Sequence, residues 1–156
     1  MTAEVVSKAL ADAIFYMKTQ TEADRVIVCY EGIGRCHGFQ DHKVTWDEAT
    51  LSTEMLSRFV ERGEPVLVKD SLSDPEFGHR TSALLSELGS VLFVPVRNEF
   101  EYTRGFLYLD QVGRSTFLAE GFFERIKKYV LHTLEPALHC KREHVGWEEL
   151  KELRWS

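Results

Sequence analysis

Four side chains with useful chemistry lie close together in the stretch FGHRTSALL: Phe77, His79, Arg80 and Ser82. An arginine can clamp a carboxylate or phosphate through its planar fork, a serine can donate one bond, and a histidine changes charge near neutral pH. Such a set could hold a small polar ligand. It could equally be a solvated loop whose serine caps a short helix, and spacing alone leaves both readings open. Just upstream, KDSLSDPEF carries Asp70 and Asp74 four residues apart, with Pro75 behind the second. A catalytic acid and base would need surroundings that drive their pKa values apart, and nothing in the sequence shows such surroundings. Aspartates that bond back to their own turn shape a loop without reacting, so Asp70, Asp74 and Pro75 read as loop-shaping, with direct contact to a ligand the alternative for the two aspartates.

Cys29 and Cys36 flank the sequence EGIG. If the chain reverses about those glycines so that Tyr30 pairs with Arg35, Cys29 faces Cys36. Directly opposed Cβ atoms are ~4.5–5.5 Å apart, slightly wide for a disulfide. A redox pair and two small core side chains both fit this pattern. His37 beside Cys36, and His139 with Cys140 and His144, are metal-ligand types without a complete four-ligand set, so no metal site is expected. There is no Walker loop, G-x-S-x-G or H-E-x-x-H, and no enzyme is expected either.

The chain that must position these groups has 156 residues, a length that suits one domain. A formal net charge of −6 argues against nucleic acid or an anionic membrane as main partner. The N-terminus has no basic region before its apolar residues, and Val91 to Val96, the longest apolar run, cannot span a bilayer. These features, with three scattered cysteines, point to a cytoplasmic protein in a reducing compartment.

Val6, Leu10, Ala13, Ile14 and Met17 recur at helical spacing. RVIVCY and SVLFVPV are nearly unbroken apolar runs, which predicts strands buried on both faces. RCHGFQ reads as the return strand of the first hairpin. After Ser52, the positions Met55, Leu56, Phe59 and Val60 form a helical stripe that Gly63 stops. A strand from Pro65 to Lys69, a short helical piece at residues 82–88 and the strand RGFLYLD follow. A long helix is predicted over 119–142, with a kink or break at Pro136. Trp147, Leu150 and Leu153 suggest a further short helix. The order predicts an α+β domain around one antiparallel sheet.

From Gly63 onward the residues resemble a GAF domain, a small sensory module of signalling proteins and transcriptional regulators. GEPVLVKDSLSDPEF, LGSVLFVPV and RGFLYLDQ, followed by Phe117 and a long helix, carry the resemblance, and TLSTEMLSRFVERGEP is similar to the helix that precedes them. The resemblance implies a central antiparallel sheet with the N- and C-terminal helices on one face and a loop- and short-helix-covered pocket on the other. It places Phe77, His79, Arg80 and Ser82 on the segment that lids that pocket and lets Tyr108 turn its hydroxyl inward, although a core tyrosine with a satisfied hydroxyl fits the residues as well. It implies one domain over residues 1–142, with 143–156 a tail, short helix or linker. The function implied is non-catalytic sensing of an unidentified small molecule, with signalling through the terminal helices of a homodimer to an effector domain or partner protein. A ligand-free interaction module, its pocket filled by Phe93, Phe106 and Tyr108, is the alternative. A cysteine-dependent reductase is disfavoured because the cysteines lie on a hairpin and a terminal helix. The N-K-F-D-E signature of the cyclic-nucleotide branch is absent, and no particular cofactor is implied.

Overall fold

Apolar runs too long to be covered from one side organise the whole chain. The computed structural model describes residues 3–40, 43–46, 51, 53–68, 88–112, 119, 121–139 and 145–155. Helix α1 (Ala3–Gln20) leads into strands β1 (Arg25–Tyr30) and β2 (Ile33–His37). Helix α2 (Thr53–Arg62) and the strands β3 (Val66–Val68), β4 (Leu88–Arg97) and β5 (Thr103–Val112) follow. The sheet order is β3-β4-β5-β1-β2-β6, antiparallel except where β6 (Arg154–Trp155) joins β2 in parallel.

Alternation along each strand divides the core in two. Val26, Val28, Leu92, Val94, Leu107 and Leu109 face α1 and the C-terminal helix. Ile27, Cys29, Val91, Phe93, Phe106 and Tyr108 face α2 and the last residues of the chain. The predicted stripe of α1 is buried on the first side, where Tyr16 stacks on Tyr129 at 4.1 Å. That of α2, from Met55 to Val60, is buried on the second. The arrangement is the α+β one that the resemblance implies.

The C-terminal helix departs from the predicted span of 119–142. Gly121 precedes it with φ +80°, α3 (Phe122–Tyr129) begins the regular part, Val130–Leu134 is wound as a π-helix, and α4 (Glu135–Ala137) ends it. Pro136 explains the change of winding. It has no N–H to give the preceding turn, and its ring crowds the carbonyl four residues back. The chain responds by widening the turn before the proline.

The first hairpin also differs from its predicted register. Glu31 and Gly32 have φ 56° and 82° and make a two-residue turn, with Tyr30 opposite Ile33. Glu31 tolerates this left-handed position because Arg104 anchors it, Nη2 to Oε2 2.7 Å, in a largely buried ion pair. Cys29 therefore pairs with Gly34 and Cys36 with Ile27. The cysteines share a face but sit diagonally, ~7–8 Å apart by strand geometry, so the direct opposition that a disulfide would use is absent. Both are free thiols. Gly34 serves another purpose: a Cβ there would lie 2.6 Å from the Trp155 ring, so its lack of a side chain lets β6 dock.

Residues 145–155 are packed into the second core. Val145 and the helix α5 (Trp147–Leu150) bury Trp147 and Leu150 beside α2, and Val145 donates its N–H to the Thr103 carbonyl at 2.9 Å.

At Gly105 on β5, an added Cβ would lie 1.9 Å from the Cys29 carbonyl oxygen. Gly105→Ala should therefore destabilise the fold by about 3 kcal/mol, the upper range for overpacking, in urea unfolding. Gly146→Ala, where a Cβ meets nothing within 4 Å, should stay within about 0.5 kcal/mol of the parent.

Candidate functional site

Where β1 begins and β5 ends, the second face of the sheet stops being apolar. The antiparallel register sets Arg25 directly opposite Asp110, and Tyr108 lies two residues from Asp110 on the same face. Arg25 grips the carboxylate with two nitrogens: Nε donates to Oδ1 and Oδ2 at 3.1 and 2.9 Å, and Nη2 to Oδ2 at 2.6 Å. The Tyr108 hydroxyl donates to the same Oδ2 at 2.7 Å. The Asp110 side chain is fully buried, and Arg25 stacks its guanidinium over the Phe39 ring, 5.1 Å from the centroid.

Burial pushes the Asp110 carboxyl up from its ordinary value, and the Arg25 and Tyr108 donors hold back part of that rise. Burial, reinforced by the Asp110 charge, raises the Tyr108 hydroxyl well above the usual range, which keeps it a proton donor. Burial alone would lower the Arg25 pKa, but its bonds to Asp110 more than offset this. The result is a closed network of one cation, one carboxylate and one phenol with its proton in place.

The same end of β5 is tied to the turn after α1. Asp24 donates its N–H to the Asp110 carbonyl at 2.8 Å and accepts from the Val112 N–H at 2.7 Å through its side chain. The Gln111 amide, held at 3.2 Å by the Ser90 hydroxyl, donates to the Glu22 carbonyl at 3.1 Å. The Arg25–Asp110–Tyr108 network and the end of α1 therefore share one stretch of backbone.

Beside the network, the second face is filled by rings. Phe59, Phe93, Phe106 and Tyr108 are fully buried, with Phe93 centred 5.2 Å from Phe59 and 5.4 Å from Phe106. Cys29, wholly buried, has its thiol pushed up to about 12 by desolvation, and burial raises Cys36 as well. Neither is a thiolate at neutral pH.

On the opposite face, a groove of about 450 Å³ runs between the π-wound turn and β4. Glu135 spans it, accepting the Arg97 backbone N–H at 2.7 Å, while the Arg97 guanidinium bonds the Gly63 carbonyl. Burial raises the Glu135 pKa, and the Arg97 hydrogen bond opposes that rise.

Of the residues singled out in the sequence, Tyr108 is a buried member of the network. Phe77, His79, Arg80 and Ser82, with Asp70, Asp74 and Pro75, lie outside the described residues. Arg25 and Asp110 went unnoticed because one opens an apolar run, the other closes one, and each looks like a strand end meeting water. The available signal was that a positive and a negative charge each cap a strand buried on both faces. No cluster of metal-ligating side chains occurs among the described residues.

No protein-family model and no curated protein matches the chain. Solved structures do. A GAF domain/HD domain protein from Geobacter sulfurreducens is similar at TM-score 0.61 and 14% identity, over 85% of this chain and 90% of that one. The GAF domain of a phosphoenolpyruvate-protein phosphotransferase from Coxiella burnetii gives TM-score 0.57 and 18% identity, over 85% and 82%. A type II free methionine-R-sulfoxide reductase from Thermoplasma acidophilum gives 0.58 and 18%, over 90% and 96%.

Asp110→Ala should destabilise the protein by about 3–5 kcal/mol in chemical denaturation, since it leaves a guanidinium and a phenol buried without their acceptor. The double variant Arg25→Met/Asp110→Leu should recover most of that loss, because no uncompensated charge remains. Glu135 tests the opposite face. Its folded pKa is raised above the ordinary 4.5, so its contribution is full below that value and declines as pH rises through the folded pKa. Glu135→Gln keeps an acceptor for Arg97 without the charge. Its melting temperature relative to the parent should rise as pH increases from 4.5, which a thermal scan at several pH values would read.

Proposed function

With a GAF-like fold as the premise, we propose that this protein is a non-catalytic sensory and regulatory domain that acts in the cytoplasm. The observation that carries this reading is the bonding of the turn after α1, at Glu22 and Asp24, to the end of β5 that presents Asp110 and Tyr108 to the second face. A ligand that drew on Arg25, Asp110 or Tyr108 would pull on the turn at Asp24 and so on α1. It would act by favouring one arrangement of the helices over another.

The ligand would be held against the second face by the segment between β3 and β4, with Phe77, His79, Arg80 and Ser82 as its contacts. Asp70, Asp74 and Pro75 would shape that segment. The sensory unit would run over residues 1–142, with 145–155 sealing its edge. Output would pass through α1 and the C-terminal helix of a homodimer to an effector domain, a partner protein or transcription machinery. Phe15 and Leu131, 68% and 57% exposed on those helices, supply apolar surface for the second copy. The raised thiols of Cys29 and Cys36 support a role without cysteine catalysis.

The close packing of Phe59, Phe93 and Phe106 favours a second reading, an interaction module whose ligand space is already filled. Native mass spectrometry on freshly purified protein, compared with the denatured mass, separates the two. The sensor reading expects a dimer carrying a small mass that is lost on denaturation, and Phe15→Glu should convert it to monomer. A bare dimer would support the interaction module. A bare monomer would count against both.

A further inference from the structure

Strand β2 carries a notch shaped for one aromatic ring. A Cβ at Gly34 would lie 2.6 and 2.8 Å from two ring carbons of Trp155 and 3.1 Å from Leu153 Cδ1, so those side chains occupy the space that a side chain on β2 would take. The backbone fits the same occupant. Arg154 lies opposite Ile33 and Trp155 opposite Gly34 in parallel pairing, and the Arg154 N–H donates to the Gly32 carbonyl at 3.2 Å. Trp46 flanks the seated indole, 6.0 Å between centroids. The segment in this seat is held more loosely than the one before it. Val145, Trp147 and Leu150 are buried, whereas Leu153 and Trp155 are half-buried and Arg154 is exposed. A strand of two residues has little ladder of its own, and elements with few buried contacts open most readily.

We propose that the Gly34 seat docks an extended segment of a partner protein, and that residues 153–155 are its built-in competitor. The occupant already in place states the chemistry of the partner. Alternate side chains of a strand face the same way, so the seat takes an aliphatic residue followed two positions later by an aromatic one. The residue between them faces away, as exposed Arg154 does, and is not selected. Strand addition to a sheet edge draws affinity from main-chain hydrogen bonds and specificity from pockets for alternate side chains. Both are present here: the edge of β2 at Ile33 and Gly34, and the notch that only a missing side chain can provide. Trp147 and Leu150 stay packed beside α2 while the two-residue strand exchanges, so the second core is kept. This seat is separate from the Arg25–Asp110–Tyr108 network and does not depend on the sensory reading.

The probe is the blocked peptide Lys-Glu-Leu-Arg-Trp, the sequence of residues 151–155, titrated into isotope-labelled protein and followed by NMR. In Trp155→Ala the notch stands open, and the amide signals of Ile33 and Gly34 should shift saturably as the peptide enters. The parent should bind about tenfold more weakly or less, because its own strand competes from a tethered, roughly millimolar effective concentration. The same peptide with alanine in place of tryptophan should give no saturable shift. Gly34→Ala/Trp155→Ala is the second control. No indole of the chain then meets the new methyl group, so this variant should fold as well as Trp155→Ala, yet its Cβ fills the notch and should abolish binding. Should Trp155→Ala fail to fold, Arg154→Pro removes the N–H that bonds Gly32, at an exposed position, and should raise peptide affinity several-fold over the parent. No saturation by about 10 mM peptide in the opened variant would overturn the proposal. Equal affinity in the parent and Trp155→Ala, an equal response to the alanine peptide, or binding that survives Gly34→Ala/Trp155→Ala would also overturn it.

Discussion

A single sheet buried on both faces is the constraint from which the rest of this structure follows. Strands β1, β4 and β5 have no solvent side, so each needs two layers of cover. One layer is α1 with the C-terminal helix. The other is α2 with residues 145–155, which explains why the last residues of the chain return to the sheet. A strand with no wet face can carry charge only at its ends or as matched pairs, and both cases occur. Arg25 and Asp110 meet at one end of β1 and β5, and Glu31 and Arg104 meet at the other. Desolvation is so large for such groups that neither partner could stay without the other.

The Arg25–Asp110 pair also sits where the two layers are joined through backbone. Side chains on opposite faces of a packed sheet do not touch, but they share backbone. Around Asp110 that backbone is bonded to Asp24 and, through Gln111, to Glu22, so displacement on one side has a short route to the helix on the other. The π-wound turn is the matching feature at the far helix. It is a widened stretch between two regular ones, with Glu135 reaching from its end to the edge of β4.

The two-faced strands, the amphipathic α1 and α2 and the antiparallel sheet were legible because their signals are local runs of side chains. Failures came where one residue type answers two demands. Gly32 and Gly34 look alike in the sequence, yet one supplies positive φ and the other an absent Cβ beneath Trp155. Treating both as turn residues shifted the hairpin and set Cys29 against Cys36. Pro136 announced a disturbance but not its form, because the disturbance lies upstream of the residue that causes it. The charge network escaped notice because β1 and β5 are neighbours in the sheet and far apart in the chain. Nothing local to either strand reveals the other's end. The proposed ligand contacts at Phe77, His79, Arg80 and Ser82 rested on resemblance and lie outside the described residues.

The parallel pairing of β6 with β2 has a consequence for the order in which this protein is made. Ile33 and Gly34 wait for Arg154 and Trp155, which leave the ribosome long afterwards. At ~5–20 residues per second, the outer edge of β2 stays unpaired for on the order of ten seconds after it could first form its hairpin. During that time its unmatched N–H and carbonyl groups are a template for any neighbouring strand. Elongation rate, rather than folding rate, then sets how long a nascent chain is open to mispairing with another copy of itself.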